Sequence, residues 1–334
     1  MDLAKVLASN LIVLHHFATY GPLSEALHAS TPALAGWLYD YARMAVQVFL
    51  VLGGFLAARA WAPDGYLGAR KPLRGIALRY LRLTPPFMAA MLITVAAAAL
   101  SRSVMAADFI PAAPTLAQLL AHASLLHGVL GTESLSVGVW YVAIDFQLFA
   151  LLLVLLWLGA QRARLLVAAV ALTSLFFFNL HVDGDNWALY FFGAYGLGAA
   201  AWWIGQAPKA GRWVMLMAVT LAAALAWEYR TRILLAGLVA LALAWMQWNT
   251  QRSAQKTKLP RWPILGLGLL SQASYALFLL HFSVLLLVNA WFAYAGLVGS
   301  AAVWAVVGVS WLLCQFAALA FERWVERPLA RLRF

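Results

Sequence analysis

The chain has 334 residues, of which 65% are apolar and 10% charged, with a net charge of +11 and one cysteine. Soluble proteins carry roughly a quarter charged residues, and one water-soluble core of this length cannot hide so much apolar surface. That excludes a soluble enzyme, while Cys314, alone in an apolar run, excludes an internal disulfide, a cysteine-rich zinc site and an iron–sulfur cluster.

Apolar stretches able to cross about 30 Å of hydrocarbon fall at 3–20, 42–61, 77–100, 139–158, 164–181, 187–205, 213–229, 232–249, 267–292 and 298–322. The sequence therefore predicts an all-α, polytopic integral membrane protein of about ten transmembrane helices. The first stretch, MDLAKVLASNLIVLHHF, lacks a basic leader followed by a small-residue cleavage site and reads as a retained span. Within it Lys5 and His16 are eleven residues apart, almost three helical turns, so they share a face over roughly 16 Å. His15 points elsewhere, because adjacent helical positions diverge by about 100°. Lys5 reads either as a snorkelling anchor or as a functional cation, and His16 either as an interfacial packing residue or as a working imidazole.

The third span opens RYLRLTPPF, where Arg79 and Arg82 share a face suited to a polyanion or to ordinary anchoring. Pro85 and Pro86 are expected to kink or break the helix just beyond. The connection at 101–138 contains a weaker apolar stretch, 114–130, read as an interfacial or re-entrant helix. The fourth span opens GVWYVAIDFQLF and buries Asp145, with Tyr141 four residues before it and Gln147 two after. A carboxylate in lipid costs about 2.5–3.5 kcal/mol on insertion scales, so Asp145 needs a histidine or a cation as partner. In the ninth span, QASYALFLLHFS, Ser274 and His281 lie two turns apart on one face. The tail ERWVERPL carries Glu326 and Arg327 before a helix-stopping Pro328.

Lysine and arginine gather in the connections 62–76, 159–163, 206–212 and 250–262 and in the tail, whereas Arg102, Arg230, Arg232 and the acidic HVDGDN at 181–186 fall on the other side. The positive-inside rule then puts both termini in the cytoplasm. Basic tracts between apolar runs give no nucleic-acid groove. The chain shows no internal repeat and no appended soluble domain, so 1–334 reads as one transmembrane domain. No GxSxG, P-loop, HExxH or dinucleotide fingerprint is present. On residues alone, an enzyme and a transporter or lipid flippase using the same buried charges both stay open.

Taken in order, the segments resemble the acyltransferase-3 family of membrane-bound O-acyltransferases. The matching residues are Lys5-x10-His16, FLVLGGF at 49–55 with Gly54 and Phe55, Arg79-Tyr80-Leu81-Arg82 and WYVAIDFQLF at 140–149 with Trp140, Tyr141 and Gln147. SYALFLLH at 274–281, with Ser274, Tyr275 and His281, and Glu326-Arg327-Pro328 complete the series. Lys5 stands where arginine is usual, Gly53 where serine is usual and Asp145 where glutamate is usual. The resemblance implies transfer of an acyl group, commonly acetyl, from cytoplasmic acyl-CoA to a hydroxyl of a carbohydrate or glycan at the outer face, with no metal. It implies His16 as general base, with Asp145 or Lys5 orienting it or stabilising charge, and Arg79 and Arg82 holding the donor phosphates. A variant in which His16 carries the acyl group between half-reactions stays open. The 101–138 segment, with His122, His127 and Glu133, is the expected acceptor-facing element, and the expected location is a bacterial inner membrane.

Overall fold

The structure, a computed structural model, describes residues 1–252 and 261–331, with backbone alone at 261–265. The basic connection expected at 250–262 lies largely outside these residues. The described residues form helices and turns with no strand: α1 (Asp2–Phe17), α2 (Pro22–Ser30), α3 (Pro32–Tyr41), α4 (Val46–Trp61), α5 (Pro72–Arg102), α6 (Leu116–Ala123), α7 (Val139–Gly159), α8 (Ala163–Phe176), α9 (Ala188–Gln206), α10 (Ala210–Trp227), α11 (Thr231–Arg252), α12 (Arg261–Gln272), α13 (Ser274–Ala295), α14 (Ser300–Phe321) and α15 (Arg327–Arg331).

Every expected apolar stretch carries a helix, yet seven helical stretches among the described residues are long and apolar enough to cross a membrane. The shortfall has three physical sources. At 16 residues α1 falls short of the about 20 that a straight crossing takes. Glycine and aromatic residues dilute the apolar character of α9, and α7 and α8 run on as one stretch, Val139–Leu180. The chain is an integral membrane protein built from such helices.

Three local expectations change. Pro85 and Pro86 lie inside α5 without ending it. Prolines are tolerated inside membrane helices, and in the turn before Pro85 the Tyr275 hydroxyl donates to the Leu83 carbonyl at 3.3 Å, tying α5 to α13. The ninth span is divided at Ala273 into α12 and α13, where the Ser274 hydroxyl donates back to the Leu270 carbonyl at 3.1 Å, a contact that bends helices. Pro328 does not stop the chain's helix but lies within it, as the second residue of α15 in the helical stretch Ser300–Arg331. A π-helical turn, Glu322–Glu326, leads into it.

The helices gather into two compact units. The first comprises Met1–Ala45, Leu81–Val142 and Pro260–Phe334. In it α1 packs on α3, α12, α13 and α14. Asn10 fixes the pairing with α14, its Oδ1 accepting from Trp311 Nε1 at 2.6 Å and Gln315 Nε2 at 2.9 Å. The end of α1 is held equally firmly: His15 Nδ1–H donates to the Leu38 carbonyl at 3.1 Å, and Asn289 Oδ1 accepts from the Leu23 N–H at 2.9 Å. Gly21, between α1 and α2, has φ +83°, a left-handed conformation that glycine adopts without strain.

The second unit comprises Val46–Tyr80 and Ala143–Leu259, with α9 at its centre against α4, α8, α10 and α11. Gly54 and Gly198 let the α4 and α9 backbones touch, since a Cβ at Gly54 would strike the Tyr195 carbonyl and one at Gly198 the Val51 carbonyl. Small residues serve membrane helices this way, because dispersion at close range replaces the hydrophobic effect there. Phe55 then packs edge-on to Trp202 with centroids 5.4 Å apart. Arg230 and Arg232 turn inward on the protein: Arg230 Nη1 donates to Asn179 Oδ1 at 2.8 Å and Arg232 Nη2 to the Asn179 carbonyl at 2.7 Å.

The connection after α5 has its own small core. Thr115 and Gln118 form a capping box at the start of α6. His122 Nδ1–H donates to the Gln118 carbonyl at 2.8 Å while Nε2 accepts from the Leu135 N–H at 3.2 Å. The His127 ring stacks on it at 4.3 Å and 4°, with Phe87 beside both. Both imidazoles are fully buried, and Glu133 is exposed. Neither ring nitrogen of His127 has a hydrogen-bond partner among the described residues. Burial first, and the neighbouring His122 second, hold the His127 pKa down at about 4.

A depressed histidine pKa means that the opened segment binds the proton more readily than the closed one. Stability is therefore full above the ordinary value of about 6.5 and is lost as pH falls toward 4. Burial lowers the His122 pKa as well, so hydrogen exchange of amides 116–135, corrected for intrinsic rates, is expected to accelerate over that window by up to about tenfold per pH unit for each of the two histidines. His127→Phe, which keeps the stacking and cannot titrate, should make the dependence shallower. A pH-independent wild type would overturn this account.

Candidate functional site

The first unit brings His16 and His281 together. On α1 the two adjacent histidines diverge as helical geometry requires, His15 to α3 and His16 to α13. His16 Nδ1 lies 2.7 Å from His281 Nε2. The ring planes are 10° apart with centroids 4.8 Å apart, so the imidazoles meet edge to edge in nearly one plane. In-plane contact is where a ring N–H meets a ring lone pair, and the pair is a hydrogen bond rather than a face-to-face stack.

His281 is wholly enclosed on α13, and its Nδ1 lies 3.1 Å from the Leu277 carbonyl. His16 is 8% exposed, and its Nε2 has no hydrogen-bond partner among the described residues. Tyr20 flanks the His16 ring at 5.7 Å. Lys5 lies on the same helix, half-buried, and makes no side-chain hydrogen bond or ion pair among the described residues.

Around that pair, Tyr141 packs edge-on to Phe278 at 5.2 Å, and Trp140 sits beside Tyr141. Ser274 and Tyr275 spend their hydroxyls on backbone carbonyls, as described above. In the tail, Glu322 pairs with Arg327, whose Nη2 also donates to Gln272 Oε1 at 3.1 Å. Glu326 faces the positive field of Arg82, which is exposed on α5.

The second unit answers the question of Asp145's partner. The Asp145 side chain, 8% exposed, forms an ion pair with that of Arg79, which is 32% exposed and whose guanidinium lies over the Phe149 ring at 5.4 Å. A guanidinium is well suited to this setting, because its planar face packs on an aromatic ring while its edge binds a carboxylate. Tyr195, buried, lies against the same pair, and its ring occupies the space that a side chain at Gly53 would need: a Cβ there would lie 2.9 Å from Tyr195 Cε2 and 3.5 Å from Asp145 Oδ1. Gln147 has a purely local task. Its Oε1 accepts from the Ala188 N–H at 3.1 Å, capping the start of α9, and its Nε2 donates to the Asn186 carbonyl.

Two residues of these clusters escaped sequence reasoning. Asn10 carries no charge and looks like any helix residue, although a polar amide in a membrane helix is itself a signal. Tyr195 lies in the run ALYFFGAYGLGAAA, where spacing gives no reason to prefer one aromatic over another. Among the described residues no three His, Cys, Asp or Glu side chains converge on a metal-sized site.

Residues 1–318 match the family model described as an acyltransferase domain, acyltransferase-3. No curated protein and no solved structure matches the chain.

Proposed function

The chain belongs to the acyltransferase-3 family, and from that premise we propose that it is an O-acyltransferase. It moves an acyl group, acetyl in the simplest case, from cytoplasmic acyl-CoA to a hydroxyl of a carbohydrate or glycan at the outer face of a bacterial inner membrane. The observation that carries this reading is the His16 imidazole, held at Nδ1 and with Nε2 left without a partner among the described residues. An imidazole so placed can take a proton from a hydroxyl in reach of it.

In this mechanism the acceptor oxygen attacks the thioester carbonyl while its proton passes to His16 Nε2. The carbon–sulfur bond breaks, and the thiolate of coenzyme A recovers that proton. The products are an ester and a free thiol. Arg79 and Arg82 are the proposed contacts for the donor's phosphates, Arg82 as the exposed charge and Arg79 as a guanidinium already oriented by Asp145. In this reading Asp145 acts on donor binding through Arg79. Lys5 supplies a positive charge on the His16 helix toward the donor side, with both termini cytoplasmic, an orientation that rests on the positive-inside pattern.

The decisive experiment compares surface glycans by mass spectrometry from cells with and without the protein, which reads acyl mass and acceptor at once. Glycans identical in the two would defeat the proposal. In reconstituted protein, Arg82→Ala is expected to raise KM for acyl-CoA about tenfold or more, the loss of one charge-assisted contact, with acceptor KM little changed. An unchanged donor KM would remove Arg82 from the donor site.

A further inference from the structure

We propose that His281 is a positioning residue that fixes the tautomer of His16, so that the lone pair of His16 is held on Nε2. The inference rests on the general-base reading of His16 and adds what makes that imidazole a base at one particular nitrogen.

A backbone carbonyl fixes the polarity of the pair from one end. A backbone carbonyl accepts and never donates, so His281 Nδ1, 3.1 Å from the Leu277 carbonyl, carries a hydrogen. A neutral imidazole has one N–H, and His281 Nε2 therefore bears a lone pair. The in-plane neighbour of that lone pair, 2.7 Å away, is His16 Nδ1, which must donate to it. His16 Nδ1 then holds the one hydrogen of a neutral ring, and Nε2 is left as acceptor.

A cationic His281 would reverse the sequence. It is fully enclosed, with Phe278 alongside and the Cys314 thiol on its own carbonyl, and no carboxylate pairs with it among the described residues. A charge there would stand desolvated and unpaired. The neutral chain, from Leu277 oxygen through both imidazoles, is the arrangement that satisfies both hydrogen bonds.

The same chain limits what His281 can do. When His16 accepts the hydroxyl proton at Nε2, its Nδ1–H bond to His281 Nε2 strengthens, because a cationic donor now faces a lone pair. The series ends on a carbonyl that cannot take a proton, so none leaves by this route. The proton on Nε2 stays available for the departing thiolate. An aspartate in the same place would orient the ring and also neutralise it; a neutral histidine orients it without adding a negative charge to the membrane interior.

The test uses full-length protein in lipid nanodiscs. With ¹⁵N-labelled histidine, the wild-type spectrum is expected to show His16 protonated at Nδ1 and bare at Nε2, with His281 of the same tautomer. His281→Leu removes the acceptor and is expected to lower kcat about a hundredfold or more, the scale of a wrong-tautomer defect, while KM for acyl-CoA stays within about twofold. His281→Gln, whose Oε1 can stand where Nε2 stood, should recover at least about tenfold of that loss.

A wild-type spectrum with His16 protonated at Nε2 would overturn the assignment, whatever the rates. Wild-type kcat in the Leu variant, or a folded Gln variant no better than Leu, would overturn the positioning role. Turnover by His16→Ala is the separate failure of the general-base reading, and the spectrum, which needs no turnover, tells the two apart.

Discussion

His16→Ala is expected to lower acyl transfer at least about a thousandfold, within the range that general base catalysis contributes, while the protein still inserts and migrates as a single species in detergent. The stability side of this expectation follows from the packing. Asn10, His15 and Asn289 anchor α1 and its turn by bonds that do not involve His16. Removing the imidazole leaves a small void and one unpaired acceptor on His281, a defect of a few kcal/mol in a unit held by many other contacts. The catalytic side follows from position: the neighbouring imidazoles, His15 and His281, are tied by Nδ1 to the Leu38 and Leu277 carbonyls, so neither presents a lone pair where His16 Nε2 stood. Wild-type turnover by this variant would end the assignment. Direct transfer also predicts that acyl-CoA alone leaves no acyl group on His16, which intact-protein mass spectrometry reads; a labelled histidine would move the mechanism to two half-reactions.

The second large effect is structural. Gly198→Leu is expected to destabilise the second unit by about 3 kcal/mol or more, and Gly198→Ala to do so measurably, because the first atom added meets the Val51 carbonyl. Backbone cannot swing aside as a side-chain tip does, so α4 and α9 must part along their whole contact. Gly308→Ala is the matched control: a Cβ there meets nothing within 4 Å, and replacing glycine in a helix favours the folded state by about 0.5–1 kcal/mol. Thermal unfolding in detergent, read on all three variants, decides the matter. Equal midpoints for Gly198→Ala and Gly308→Ala would show that the helices are not in backbone contact.

Much of this molecule is legible in its sequence. Apolar run length located the helices, because lipid imposes one requirement on every residue of a span. The ionisable residues that lipid disfavours pointed to His16, Asp145, Arg79 and His281. What spacing could not supply was pairing. Asp145 had histidines and cations as candidate partners, and Arg79 answered it only when helices far apart in sequence were folded together. Likewise His122 and His127 look acceptor-facing in a polar connection, yet they are fully buried and hold that connection's own core. At Pro85–Pro86 a kink or a break was the expectation, and the helix runs on without a break, as it does through Pro328, because packing around a membrane helix outweighs one lost backbone bond.

Gly53 and Gly54, adjacent in the chain, stand under different histories. At Gly54 the obstacle to a side chain is main chain, which no substitution elsewhere can remove. At Gly53 the obstacle is the ring of Tyr195, which one substitution can. A side chain at 53 therefore requires the Tyr195 ring to move aside or to be replaced by something smaller. Glycine at 53 is thus a choice contingent on its neighbour, and glycine at 54 is a condition of the fold.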